Sequence, residues 1–326
     1  MSSALVSRAV IAAVVFICAV SAAAADLRLS PVWKAGEETV FTYTSDATTK
    51  NAIPAARALN EQRTRQEMRI RQRVVQTGEQ GTTLELVFER IKAVITQGRM
   101  FMLYDSDKHD PERSNVLEDA IRPMIGVPIR VELGADNAVK SVSGFPEPRI
   151  VDGNVRPLIV DEELVRHSLA PLYGLRRPAE RVRAGEGWTD EEQLPGGTNN
   201  LLHIRHRRTV DAADTDRAQI SSTATADLRP VEPGKHSKLL LVGFDCTTKY
   251  EWDVKQSRLG WMVLEQRTET HGEVKQARSE NVTTVRMTLA SEGHTPPAPP
   301  TGATGESSPP GAAPSSAGGS PTPASR

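Results

Sequence analysis

The closest approach to a metal-binding pair in this sequence is His203 with His206. On a helix, a spacing of three would place both imidazoles on one face, where they could share a zinc ion. Residues 202–207, however, alternate apolar side chains with His and Arg, which indicates a β-strand. The two rings of a strand at this spacing point to opposite faces, so we expect no zinc site here.

Three carboxylates crowd into residues 105–110, at Asp105, Asp107 and Asp110, which suggests calcium. A calcium-binding loop also needs a glycine at its turn and a distal bidentate acid. Here Lys108 stands among the carboxylates and no glycine follows. The segment is therefore predicted to be a solvated turn.

The sequence lacks the short motifs of common enzyme classes: the Gly-x-Ser-x-Gly elbow, His-Glu-x-x-His and a phosphate-binding glycine loop. The acidic pairs Glu162–Glu163 and Glu191–Glu192 are adjacent, and we interpret them as exposed and not facing each other for acid–base work. We predict no catalytic, cofactor-binding or metal-binding residues and no cofactor. A hydrolase with a dispersed active site stays open as an alternative.

The first 25 residues read as a signal peptide. Arg8 precedes an apolar run over 9–20, and small residues then lead to a cleavage pattern before Asp26. An uncleaved anchor is the alternative, but the run is short for a span and rich in alanine. Lipidation of Cys18 is disfavoured because Ile17 precedes it. We expect an exported protein, periplasmic or extracellular, without a transmembrane span in the mature chain.

Cys246 is the only cysteine left after cleavage, so it cannot form an internal disulfide. A nucleophile or an intermolecular link is conceivable, but its neighbours read as a strand, and a buried, inert thiol is favoured. Trp188 is read as a core aromatic that opens a strand rather than as a ligand anchor. The balance of 40 basic and 41 acidic residues excludes a typical nucleic-acid binder.

Composition divides the remaining chain. Residues 26–291 form a β-rich domain, with two related halves, about 26–145 and 175–291, as an open interpretation. Residues 292–326 are rich in Pro, Gly, Ser and Ala, have little apolar surface to bury, and are predicted to be disordered.

Period-two alternation dominates the folded region and predicts three hairpins. In residues 68–74, apolar side chains alternate mostly with arginine, and this strand joins the strand at 82–95 through the turn at 78–81. Residues 127–133 and 138–142 form the second hairpin. The third joins residues 247–254 to 261–270, and residues 282–289 form a closing strand. Along 82–95 we expect Leu84, Leu86 and Phe88 on one face, with Val87 and Ile91 on the other.

Helical spacing appears twice, over residues 114–124 and 161–172, where Pro123 and Gly174 mark the ends. Two short helices among many strands indicate an α+β protein of mostly antiparallel β-structure. We predict a curved sheet or open barrel of ten or more strands, with the helices on one side or across the mouth.

A faint repeat supports the two-halves interpretation. Lys34-Ala35-Gly36-Glu37 precedes the first arginine-rich strand, and Arg183-Ala184-Gly185-Glu186 precedes the strand at 202–207. Each strand then leads through a polar turn into a β-rich run.

Several segments together resemble an uncharacterised family of exported bacterial proteins with a domain of unknown function. They are residues 32–37, 104–106, 129–145 and 184–188. The resemblance spans nearly all of 26–290 and brings no catalytic residues. A more distant, fold-level analogy is to periplasmic lipoprotein carriers, in which helices close a curved sheet over an apolar cavity.

Three hypotheses about function follow. The first is a non-catalytic binding module of the cell envelope that holds an apolar or lipid-like ligand in the curved sheet. The second is a structural or protein-interaction component of the envelope, with an envelope protein as partner. The third is the hydrolase with a dispersed site.

Overall fold

The computed structural model describes most of the region predicted to fold. The described ranges are 27–54, 58–108, 116–147, 149–151, 154–156, 158–175, 181–196, 200–231, 239–274 and 277–298. The predicted signal peptide, and the predicted tail beyond residue 298, lie outside these ranges. Within them, no helix is both long and apolar enough to cross a lipid bilayer.

Antiparallel β-strands make up most of the described chain. The strands are β1 (Glu38–Ile53), β2 (Ala58–Gly78), β3 (Gly81–Gln97), β4 (Met100–Asp105), β5 (Pro128–Leu133), β6 (Val139–Ser143), β7 (Arg149–Val151), β8 (Asn154–Arg156), β9 (Gly187–Pro195), β10 (Asn200–Ala213), β11 (Arg217–Pro230), β12 (Leu240–Asp253), β13 (Arg258–Val274) and β14 (Ala277–Ser291). This confirms the predicted α+β fold dominated by antiparallel pairing.

One curved sheet of 12 strands contains every strand except β7 and β8, which pair with each other. Its order is β6-β5-β3-β2-β1-β14-β13-β12-β11-β10-β9, and β4 also pairs with β3, next to β5. The sheet does not close, so the curved-sheet prediction is confirmed. All three predicted hairpins are present, as β2–β3, β5–β6 and β12–β13. The predicted closing strand, β14, pairs with β1, the first strand in the chain.

A row of apolar side chains crosses eight neighbouring strands and forms the centre of the core. Directly opposed residues of antiparallel strands share a face, so the row defines the inner face of the sheet. Its members are Ile91, Met68, Tyr43, Leu289, Met262, Tyr250, Ile220 and Val210. Each is at most 4% exposed, and all belong to one packed cluster.

A β-bulge in β3 corrects one sequence expectation. Arg69 pairs with Arg90 and Ile70 pairs with Phe88, which leaves Glu89 as the extra residue. An extra residue shifts the alternation of a strand by one position. Ile91 therefore lies on the same inner face as Phe88, and both are fully buried. The prediction that Ile91 lies on the opposite face is wrong.

The first predicted helix is short. Helix α1 (Val116–Ile121) continues into a 3-10 turn at Arg122–Met124, where Pro123 occupies one of the first two positions. Leu117, Ile121 and Met124 are buried in the core.

The second predicted helix is irregular. A π-helical turn at Leu164–Ser168 and a 3-10 turn at Ala170–Tyr173 follow each other, and Pro171 lies within the second. Proline lacks the amide proton that a continuing helix would need. Val165, Leu169 and Leu172 of this segment are buried. We refer to residues 162–173 as the helical segment.

The two repeated tetrapeptides make the same hydrogen bonds. The amide of Gly36 donates to the carbonyl of Val74 at 2.8 Å, and that of Gly185 donates to Val210 at 2.7 Å. Both glycines have positive φ angles, 82° and 85°, which favour glycine. A register shift follows Val74 in β2 and Val210 in β10. The repeat thus extends to local geometry, while the division of the domain into two related halves stays a prediction.

The first residues of the predicted tail contact the sheet. The amide of Glu292 donates to the carbonyl of Val40 at 2.9 Å, and Nε2 of His294 lies 3.5 Å from a carboxylate oxygen of Asp253. Ordered structure therefore continues a few residues past the predicted boundary at 291.

Candidate ligand-binding face

The inner face continues beyond the core row as a surface without charged side chains from β3 to β11. Two residues further along each strand is a first row, which consists of Ala93, Gln66, Ser45, Met287, Leu264, Thr248 and Ser222. Another two residues along is a second row, which consists of Ile95, Thr64, Ala47, Val285, Gln266, Cys246 and Ala224. Most of the second row is half-buried. We call these two rows the uncharged rows.

The outer face at the same level is strongly charged. Five of the eight residues in its row are charged; the row runs Val94, Arg65, Asp46, Arg286, Glu265, Thr247, Thr223 and Arg207. Asp46 accepts hydrogen bonds from Arg63 at 2.6 and 2.8 Å and from Arg65 at 3.0 Å. Burial raises the pKa of Asp46, but the two guanidiniums lower it further, so its pKa lies below the usual value. From β3 to β11, the two faces therefore differ at this level: the charged side chains lie on the outer face.

At the β9–β10 end, the uncharged rows meet a group of ionisable side chains on the inner face. Nδ1 of His167, on the helical segment, lies 2.9 Å from one oxygen of Glu192. Nε2 of His206 lies 3.5 Å from the other oxygen. Burial raises the pKa of Glu192, but His206 and His167 lower it by more, so the carboxylate form is favoured.

Beside this triad, Arg208 of β10 and Asp190 of β9 form a buried ion pair. Their side chains are 10% and 14% exposed. The guanidinium carbon of Arg208 also lies 5.9 Å from the ring centroid of Tyr250. Burial lowers the pKa of Arg208, whereas Tyr250 and Asp190 raise it by more, so Arg208 stays charged. We call Asp190, Glu192, His167, His206 and Arg208 the polar cluster.

A cavity of about 60 Å³ adjoins the polar cluster. Its lining includes Asp190, Glu192 and Arg208 from the sheet, and Arg166 and Tyr173 from the helical segment. A buried water needs about 10–15 Å³ of such volume, so the cavity has room for a group of only a few heavy atoms.

The helical segment contacts both ends of the open sheet. The Arg166 guanidinium donates to the carbonyls of Val139 and Lys140 on β6, at 3.2 and 3.4 Å. The next residue, His167, contacts Glu192 on β9. Edge strands expose unpaired carbonyls, and Arg166 satisfies two of them here.

The residues singled out in the sequence are not brought into one site. His203 lies on the outer face and His206 on the inner face, as the strand alternation predicted. Glu191 is exposed as expected, but the same expectation for Glu192 is wrong. Trp188 opens β9 facing inward, and Glu192, four residues further along, shares its face. The even spacing between Trp188 and Glu192 was therefore the feature of the sequence that could have predicted an inward-facing Glu192.

The two described carboxylates near residue 105 differ in exposure: 55% of the Asp107 side chain is exposed, but only 8% of the Asp105 side chain. The prediction of a solvated turn therefore holds for Asp107 and is wrong for Asp105. Asp107 lies 2.9 Å from Nε of Arg90, and Asp105 lies 3.7 Å from the same guanidinium group. Asp110 lies outside the described residues. Among those that are described, no group of three or more His, Cys, Asp or Glu side chains is placed to hold a metal ion.

Cys246 and Trp188 are buried, as predicted. Burial raises the pKa of the Cys246 thiol to about 11, so the unreactive thiol form prevails at neutral pH.

Neither a protein-family model nor a curated protein matches this sequence. Among solved structures, the chain is similar to a lipovitellin described for its lipid–protein interactions, with 14% identity and a TM-score of 0.47 over 82% of this chain. The match spans only 26% of the lipovitellin chain. The chain is also similar to OpdQ of Pseudomonas aeruginosa, with 6% identity and a TM-score of 0.25 over 78% of this chain and 99% of that one. An outer membrane channel of Pseudomonas putida F1 shows 8% identity and a TM-score of 0.25, over 80% and 97% of the two chains. At such TM-scores these likenesses carry no argument about function.

Proposed function

We propose that the chain is a non-catalytic binding module of the cell envelope that holds an amphiphilic molecule against the inner face of its sheet. The observation that carries the proposal is the contrast between the two faces of the same strands. Val285, on the inner face of β14, has uncharged neighbours on both sides, Ala47 and Gln266. Arg286, on the outer face, lies between Asp46 and Glu265.

The uncharged rows are suited to an apolar partner because they carry no ion that would have to lose water without compensation. Their half-buried Ile95, Ala47 and Val285 supply apolar surface, whose removal from water is worth about 25 cal/mol per Å². The polar cluster at the end of these rows offers a place for a polar end group. Its ionic groups are paired with one another, which favours binding over proton transfer.

Native mass spectrometry of the purified chain, incubated with single-chain amphiphiles of several headgroups, tests this proposal. We expect a mass shift that disappears on denaturation, with the ligand recovered by organic extraction. Val285→Lys on the inner face should weaken binding at least about tenfold, because an apolar chain bound there would remove water from the ammonium group without compensation. Thr284→Lys, on the exposed outer face of the same strand, is the matched control and should bind like the wild type.

Thermal unfolding of both variants separates loss of binding from loss of fold. Absence of a bound amphiphile in the wild type, or equal loss in both lysine variants, would overturn the proposal. Attention would then turn to the interaction-protein hypothesis. Phe101 on β4 and Leu240 on β12 favour that second candidate, since they are 64% and 63% exposed.

A further inference from the structure

We infer that the polar cluster selects an amphiphile whose end group is neutral and hydrogen-bonding, such as a hydroxyl or an amide, rather than an ionic headgroup. This inference rests on the proposed function and specifies its ligand class. It depends on three properties of the cluster: the pairing of its ionic groups, its unpaired buried polar atoms and the volume beside it.

Each ionic group of the cluster has a partner within the cluster. Arg208 is paired with Asp190, and the carboxylate of Glu192 lies between the two imidazoles of His167 and His206. Arg166, on the other side of the cavity, bonds to Glu162 at 2.5 Å. An anionic headgroup would have to compete with Asp190 for Arg208, and a cationic headgroup would compete with Arg208 for Asp190. Either exchange leaves one buried charge without its partner, which is costly.

Several polar atoms in this neighbourhood are nonetheless buried without a hydrogen-bond partner. They are Oδ1 of Asp190, Nε of Arg208, Oγ of Ser222 and Nδ1 of His206. Ser222 lies directly opposite Arg208 in the β10–β11 pair, and Asp190 lies directly opposite His206 in the β9–β10 pair. These residues therefore form one patch across three adjacent strands.

The unpaired atoms include both donors and acceptors. Nε of Arg208 can only donate, and Oδ1 of Asp190 in its ionised form can only accept. Each such buried atom costs about 1–3 kcal/mol when it stays unpaired. A hydroxyl group donates one hydrogen bond and accepts others, so a single group can serve a donor and an acceptor without adding charge. A carboxylate or phosphate accepts only, and an ammonium donates only.

The geometry also limits the size of the end group. The cavity beside Arg208 and Asp190, at about 60 Å³, fits a group of roughly glycerol size or smaller. The hydrocarbon chain of such a ligand would extend along the uncharged rows, which begin at Ser222 and Ala224 on the next strand. A long-chain monoacylglycerol combines these properties.

The test is a titration of the full chain with four amphiphiles of equal chain length: monolauroylglycerol, laurate, dodecylamine and dodecylphosphocholine. Isothermal calorimetry at pH 7.5 measures each dissociation constant. We expect monolauroylglycerol to bind at least about tenfold more tightly than each of the three ionic compounds. We also expect its affinity to change little between low and high salt, because no net charge is involved.

Ser222 lies directly opposite Arg208, which lines the cavity, so Ser222→Ala tests whether the end group reaches this patch. The variant should weaken monolauroylglycerol binding about fivefold to tenfold and leave laurate binding unchanged. Because the Ser222 hydroxyl is unpaired in the free protein, the unfolding temperature should not fall. Ser221→Ala, which removes the neighbouring hydroxyl on the outer face, is the matched control and should leave both affinities unchanged.

Different results overturn the headgroup inference and the proposed function. Equal or tighter binding of an ionic amphiphile, or an unchanged preference in Ser222→Ala, would overturn the headgroup inference and leave the proposed function standing. Binding of none of the four compounds would overturn both.

Discussion

The buried ion pair between Arg208 and Asp190 makes a strong prediction about stability. Arg208→Met removes the guanidinium and leaves the Asp190 carboxylate in a site where its side chain is only 14% exposed. Breaking one side of a buried pair costs about 3–5 kcal/mol, because the remaining charge is not compensated. The contact of Arg208 with Tyr250 at 5.9 Å adds roughly 0.5–2 kcal/mol to the loss.

The same two strands supply a matched control on the outer face. Arg205 and Glu191 lie directly opposite each other, with a nitrogen–oxygen distance of 2.8 Å, but both side chains are 66% exposed. Exposed pairs contribute about 0–1 kcal/mol, since water solvates each partner when the other is lost. Arg205→Met should therefore cost no more than about 1 kcal/mol.

Equilibrium unfolding in urea measures these differences, and the double variant Arg208→Met/Asp190→Leu completes the comparison. Replacement of a whole buried pair by apolar side chains is often neutral or stabilising. The double variant should therefore recover most of the stability that Arg208→Met alone loses. The reasoning is refuted if Arg208→Met costs as little as Arg205→Met, or if the double variant is no more stable than the single one.

Two further predictions concern the turn after β2 and the charge state of Glu192. Gly81→Ala should destabilise the protein by at least about 2 kcal/mol in urea unfolding, because Gly81 has a φ of 140° and an added Cβ would lie 2.0 Å from the Leu133 carbonyl oxygen. A Cβ added at Gly78 would meet nothing within 4 Å, so Gly78→Ala should change stability by less than about 1 kcal/mol. Equal effects of the two substitutions would contradict this prediction. Because the pKa of Glu192 is lower in the folded protein than its usual value of 4.5, its contribution to stability is complete above pH 4.5 and is lost as pH falls through the folded pKa. Urea midpoints measured from pH 7 to pH 3 should fall less steeply in this acidic window for Glu192→Gln than for the wild type, and identical slopes would show that Glu192 is not linked to folding.

Local sequence patterns were sufficient for most of the secondary structure. Alternation over residues 68–74 and 82–95, with glycines between them, specified the β2–β3 hairpin, because a strand places successive side chains on opposite faces and glycine permits the turn. The same reasoning located β5–β6, β12–β13 and both short helical regions. Composition separated the β-rich region from the Pro- and Gly-rich segment that follows it.

Tertiary pairing decided what alternation left open. The bulge at Glu89 turns Ile91 inward because Arg69 and Ile70 of β2 pair with Arg90 and Phe88. The local sequence of β3 does not specify the register in which β2 pairs with it. β14 pairs with β1, although the two strands are far apart in the sequence. This is likewise a long-range contact that no local periodicity predicts.

The candidate site is the part that only the folded chain reveals. His167 lies 25 positions before Glu192, and the two meet because the helical segment packs against β9. The sequence determined that Arg205 and Arg207 share one face of β10 while His206 and Arg208 share the other. It did not determine which face is covered, because burial depends on the curvature of the whole sheet and on the segments packed inside it. Because of that curvature, the inward-facing polar side chains of β10 lie in a partly covered cluster beside the uncharged rows.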